Sequence, residues 1–253
     1  TEQWVDEASR AQTTSNPGDG DWSQGYGYQF WRCKPGFYRG DGAYGQFCIV
    51  MPEQDTVLAI TSESWDMQKS MTTVWNHLLP GLNSSASVGD DPAAQAGLRN
   101  ELRNLSLPVA KGTVTAAPAT RYHRKKFRLQ GNEYGVTGLQ FKFSTKYCTW
   151  TIKAGSEETI LKFGWESWLL NPESIHYPFP VPGRIHVSSK TAGTATWLNE
   201  NTLQLDLRFV EAIHGDRITC VFDKDQLSVT FLNSISEHTK NNPEKRTALS
   251  GVL

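Results

Sequence analysis

The chain has 253 residues, with 25 basic and 26 acidic side chains and a formal charge of -1. That length holds one large domain or two modest ones, and its ordinary apolar and charged fractions are those of a soluble globular protein rather than a disordered one. The balanced charge leaves no excess to hold nucleic acid or an anionic membrane, no apolar run approaches the roughly 18 residues of a bilayer span, and Thr1 opens a polar segment with no basic-then-apolar leader.

In chain order, Trp4, Val5 and Ala8 share one face of residues 1–12 and predict a short helix, which Ser15–Gly20 breaks. Strands are predicted over Gly25–Trp31, Ala43–Met51 and Thr56–Thr61, the last two joined by a hairpin turn at Pro52-Glu53-Gln54-Asp55. From Trp65 to Leu79, Met67, Met71, Val74 and Leu78 form a stripe at helical spacing, with Pro80-Gly81 as the stop signal. The Ser, Asn, Gly and Asp of residues 82–91 read as a linker with a break near residue 85. Pro92–Leu105 then forms a connecting helix with Ala94, Leu98, Leu102 and Leu105 on one stripe.

After Pro108 the apolar period becomes two: Phe127 and Leu129, then Leu139, Phe141 and Phe143, then Leu203, Leu205, Leu207 and Phe209, then Leu227, Val229 and Phe231. Turn signals at Gly131-Asn132-Glu133, Asn199-Glu200-Asn201 and Asp223-Lys224-Asp225 separate these runs. Eight or so strands on short loops predict an antiparallel barrel or sandwich, interrupted by a long loop over Pro172–Pro182. Ser189–Gly193 reads as a polar turn and His123–Lys126 as a solvated strand edge, while His176, His186 and His214 are isolated histidines. The four cysteines, Cys33, Cys48, Cys148 and Cys220, lack zinc spacing and read as buried free thiols, which leans toward a reducing compartment; only Cys33 and Cys48 are placed to bridge.

The stretch Gly25-Tyr26-Gly27-Tyr28-Gln29-Phe30-Trp31, then Tyr38–Gln46 and the Met51-Pro52-Glu53 turn, resembles the C-terminal half of the β-lactamase and penicillin-binding-protein fold, of the class C esterase kind, over residues 1–82. The resemblance implies an α+β fragment, antiparallel strands plus a terminal helix, followed by the mainly antiparallel barrel or sandwich. It places Gly40-Asp41-Gly42 where that family has Lys-Thr-Gly, and gives the N–H of Ala43 the role of one oxyanion donor, an approach that glycine permits. Gly40 replaces the family's cationic or imidazole side chain, which argues against recognition of a substrate carboxylate. The family's nucleophile motif Ser-x-x-Lys and its Tyr-x-Asn partner are both missing from the chain, so no catalytic set is complete.

The expected reading is therefore the C-terminal part of a serine hydrolase, inactive alone and needing no cofactor or metal. Residues 1–82 belong to the hydrolase, 83–107 are linker and connecting helix, and 108–253 form an accessory β domain. The expected partners are the missing N-terminal part of the parent and, through the Thr56–Thr61 edge, another copy; nucleic acid and membrane are not expected. On Phe127–Val136, Phe163-Gly164-Trp165, Ala195-Thr196-Trp197, Asn201–Arg208 and Cys220–Asp223, the second half resembles the barrel-like domain appended to such hydrolases. The alternative is a non-catalytic barrel that binds a small apolar or sugar ligand or a protein partner. Trp150, Trp165, Trp168 and Trp197 would line its site or else pack in its core.

Overall fold

The structure, a computed structural model, describes residues 1–82, 89–112, 117–182, 188–239 and 241–253; the expected break near residue 85, and His186, lie outside them. The chain divides into two compact units, Thr1–Leu102 and Arg103–Leu253. Among the described residues no helix is long and apolar enough to cross a membrane.

The first unit opens with α1 (Glu2–Ser9), whose Trp4 N–H is capped by the Thr1 hydroxyl. Its antiparallel sheet has the order β1 (Trp31–Arg32), β2 (Tyr38–Gly42), β3 (Gln46–Met51), β4 (Thr56–Ile60). The predicted strand Gly25–Trp31 is instead a loop, because Gly25 (φ 102°) and Gln29 (φ 64°) leave the extended region. A Cβ on Gly27 would stand 2.2 Å from the Ala8 carbonyl oxygen, so this loop can pack on α1 only as glycine. The predicted strand from Ala43 starts three residues later, after a tight turn through Tyr44 (φ 66°) and Gly45 (φ 79°). α2 (Met67–Thr73), capped by Asp66, runs on through a π turn, Val74–Leu78, into α3 (Leu79–Leu82). Pro80-Gly81 therefore does not stop the helix: a proline, having no N–H, is tolerated where the ladder changes register. Phe37, Phe47, Ile49, Met51, Met71 and Val74 form the core. α4 (Pro92–Asn104) follows as expected, with Leu98 and Leu102 exposed.

The second unit contains α5 (Ala117–Tyr122), then β5 (Lys126–Leu129), β6 (Val136–Phe143), β7 (Tyr147–Ala154), β8 (Glu157–Trp165), β9 (Leu169–Ile175), β10 (Ser189–Asn199), β11 (Thr202–Phe209), β12 (Gly215–Asp223), β13 (Gln226–Asn233), α6 (Ser234–His238) and β14 (Leu249–Val252). The pairing order β11-β12-β13-β14-β5-β6-β7-β8-β10, closed by β10 on β11, makes a nine-strand barrel. Among the described residues β9 pairs with β10 alone, which is why Pro172 fits in a strand where a loop was predicted. Ser189–Gly193, predicted as a polar turn, is the start of β10, with Ser189 and Thr191 buried. β5 is paired on both sides, so the His123–Lys126 run is not a sheet edge; its first residues form the turn that enters β5.

Alternate residues of each strand fill the barrel. Trp150 lies between Phe141 and Phe179, at ring-centroid distances of 6.3 and 5.9 Å, and all three are fully buried. Tyr177, Phe179 and Val181 pack into the lower end, where Phe179 lies 4.6 Å from Phe231. The opposite end carries the β6–β7, β10–β11 and β12–β13 turns and is open.

Candidate aromatic cleft at the barrel mouth

Four stretches of chain meet at this upper mouth. The β6–β7 turn is held by Ser144, whose hydroxyl donates to the Tyr147 carbonyl (2.8 Å) and accepts from the Tyr147 N–H (3.1 Å). Trp165, at the end of β8, donates its indole N–H to the Ser144 carbonyl at 2.8 Å, which fixes its ring beside Phe143. Glu166 then turns the chain in a left-handed conformation (φ 46°), with its own N–H on the Ala195 carbonyl at 3.2 Å, and so stands at the rim. After α5, His123 Nδ1 accepts the Phe143 N–H at 3.1 Å; this bond requires a neutral ring whose proton is on Nε2.

These residues, with Thr120, Thr145, Thr196 and the Trp197 ring, line a cleft of about 700 Å³. Phe143 stacks near Trp165 at 6.2 Å and lies 5.8 Å from Trp197, and Trp197 in turn lies 5.6 Å from Phe222 in the barrel. One aromatic wall thus runs from the solvent into the core. Among the described residues, Glu166 is the only acidic or basic lining residue besides His123. The indole N–H groups of Trp197 and of the deeper Trp150 are buried and have no acceptor among the described residues. A buried donor left unpaired costs about 1–3 kcal/mol, and it marks a place where an acceptor is missing.

Gly40 lies on β2 opposite Cys48, and Gly42 lies opposite Gln46 at the strand's end. Ala43 is exposed in the following turn. Asp41 is committed to the buried Arg39 at 3.1 Å; burial pushes its carboxyl up, against the pull of that guanidinium. These four residues belong to the first unit, and none lines the cleft. Of the tryptophans, Trp165 and Trp197 line it, Trp150 is core, and Trp168 donates to the Leu107 carbonyl at 2.9 Å. His176 is exposed, whereas His214 is buried near Ser234. All four cysteines are free, Cys48 being exposed rather than buried. Burial pushes Cys33 up to about 11 and raises Cys148 and Cys220 as well, so none of these three is a ready nucleophile. His123 and Glu166 went unnoticed as site residues. The signal available for them was a histidine just before a basic run, and Gly164-Trp165-Glu166 at the end of an alternating strand.

No protein-family model matches the chain, and no curated protein matches it. Solved structures do align: a fatty-acid-binding protein from Drosophila melanogaster brain, at 10% identity and TM-score 0.37, covers 52% of this chain and 99% of its own. A Schistosoma mansoni fatty acid binding protein, in complex with arachidonic acid, aligns at 10% identity and TM-score 0.37 over 53% of this chain and 96% of its own. The Manduca sexta fatty-acid-binding protein aligns at 10% identity and TM-score 0.35 over 52% and 99%. With no family model behind it and an all-β barrel as the larger unit, the expected kinship with β-lactamases and penicillin-binding proteins is corrected, and with it the serine-hydrolase reading; the α+β assignment of residues 1–82 to that fold is without support. The all-β expectation stands as a barrel.

Proposed function

We propose that the barrel unit is a non-catalytic binding module for a small, largely apolar ligand held in the mouth. The observation that carries this reading is the cleft of about 700 Å³ walled by Phe143, Trp165 and Trp197, a volume and lining suited to a molecule of drug or lipid-fragment size. Below the mouth the barrel is filled by its own rings, so the ligand lies at the opening rather than along the barrel axis. An apolar body fits better than a sugar. The Ser144 and Thr196 hydroxyls are used by the Tyr147 and Ala110 backbone, and the walls are mainly rings, which suits an apolar body better than a ring of hydroxyls. An acceptor on the ligand would satisfy the Trp197 N–H after a small ring movement.

The test is a fluorescence titration with the neutral probe N-phenyl-1-naphthylamine, followed by tryptophan quenching. Saturable binding is expected. Trp165→Ala should weaken it about tenfold, and Trp165→Phe should retain most of it, since a stacked ring is worth about 0.5–1.5 kcal/mol beyond its area. Titration without saturation, or an unchanged affinity in Trp165→Ala, would overturn the reading, and tighter binding of an oligosaccharide would move the site to sugars.

A further inference from the structure

We infer that the mouth-side half of the outer face of β5–β8 docks on an anionic membrane surface. The strand register builds the face. Lys126 stands across from Gln140, and Lys142, Thr149 and Lys162 lie in one row on β6, β7 and β8. Together with Tyr147 they line a shallow depression of about 540 Å³ on the outside of the barrel. Arg124 and Lys125, in the turn entering β5, and Lys146, in the β6–β7 turn, extend the same field around the lip. All six cations are exposed, and none makes an ion pair among the described residues. Lys162 rests over the Tyr147 ring at 5.6 Å.

Of the acidic residues of these strands, Glu158 lines the same depression at its lower end, across from Lys153, Glu157 sits at the far end of β8 opposite Ala154, and Glu166 lines the cleft on the inner side of the lip. The exposed carboxylates of the mouth, Glu200, Asp223 and Asp225, belong to the β10–β11 and β12–β13 turns. A chain of net charge -1 therefore presents one cationic side. Its total charge had argued against a membrane, but a surface responds to the field of the face it meets, within a Debye length.

Charge complementarity alone would admit an acidic protein; the aromatic lip favours a bilayer. Tyr147 stands half-buried among the lysines of the outer face, and Phe143 and Trp165 stand half-buried on the cleft side of the same lip. Rings at headgroup depth, with ammonium groups reaching past them on flexible stems to lipid phosphates, are the composition of interfacial surfaces. The face is a paired sheet, so docking orders little backbone. This inference goes beyond the ligand reading and stands without it.

The experiment is vesicle co-sedimentation of the full chain. Binding is expected to vesicles containing about 30% phosphatidylserine, to fall as salt rises, and to be missing with phosphatidylcholine alone. The triple variant Lys126→Glu, Lys142→Glu, Lys162→Glu should lose at least ~100-fold in partitioning, whereas Lys34→Glu, Lys190→Glu, Lys224→Glu, the same change of charge elsewhere, should lose far less. Thermal midpoints check that both variants fold; if the first does not, Lys142→Gln and Lys162→Gln, singly and together, replace it, and additive losses are expected. Equal losses in the two triple variants, no binding to anionic vesicles, or binding to polyglutamate in preference to vesicles would overturn the inference. Probe binding by the folded triple variant in solution tests the cleft separately, so failure of one reading is distinguishable from failure of the other.

Discussion

Arg246 closes the lower end of the barrel by holding two carboxylates at once. It meets Asp216 through two 2.7 Å bonds and Glu244 through bonds of 2.7 and 2.9 Å, while the Tyr177 hydroxyl donates to Asp216 at 2.7 Å. Bidentate guanidinium geometry with the remaining lone pairs satisfied is what makes a buried pair tolerable. Partial burial pushes the Glu244 carboxyl up. Hydrogen bonds from the Arg246 side chain, and from the Arg246 and Asn233 N–H groups, outweigh that and bring it down to about 2. Because this value lies below the ordinary 4.5, Glu244 contributes stability that is whole above about pH 4.5 and is lost as pH falls through about 2. Asp216 works the other way, raised by burial against the pull of Arg246, so the useful observable is a difference between proteins. Urea midpoints measured at about pH 7 and about pH 3 should fall less in Glu244→Gln than in the parent, and equal falls would contradict this assignment. Nothing in the sequence brings these groups together: Asp216 lies in β12 and Arg246 just before β14, and they meet only when the barrel forms.

At the scale of elements, the seam between β8 and β9 is held by a side chain rather than by strand pairing. Asn171 accepts the Lys162 N–H and donates to the Lys162 carbonyl, both at 3.0 Å, so one amide does the work of a two-bond ladder step. Asn171→Ala would leave both Lys162 groups without these partners at a part-buried site. It should cost about 2 kcal/mol in urea unfolding and speed amide exchange at Lys162, whereas an unchanged exchange rate would show that the seam is closed otherwise. Strands such as β11 and β13 were legible because alternate residues are buried and wet, which writes period two into the sequence. β10 was not, because small polar residues are covered on both of its faces. Thr194 donates to the Gly164 carbonyl and Thr196 to the Ala110 carbonyl. A Cβ on Gly193 would stand 2.6 Å from Phe163, so the glycine that read as a turn signal is there to admit a ring.

At the scale of the molecule, the cleft was illegible for a geometric reason. Its walls come from residues 120–123, 143–145, 165–166 and 195–197, which only barrel closure makes neighbours. Two of the four candidate tryptophans could be picked out by type, but their separation from Trp150 and Trp168 depends on register and on where each strand ends. Closure also makes the site self-contained. Every lining residue lies in Arg103–Leu253, and that unit has its own buried core, its own ring of hydrogen-bonded strands and its own charged lower end. A domain of this size, with one continuous core, should fold cooperatively by itself. Residues 103–253 expressed alone are therefore expected to unfold in a single urea transition and to bind N-phenyl-1-naphthylamine within about twofold of the whole chain. If this piece folds but loses the probe, Thr1–Leu102 must supply part of the site; if it does not fold, the barrel's stability depends on the first unit, and the division between the two is one of shape rather than of energy.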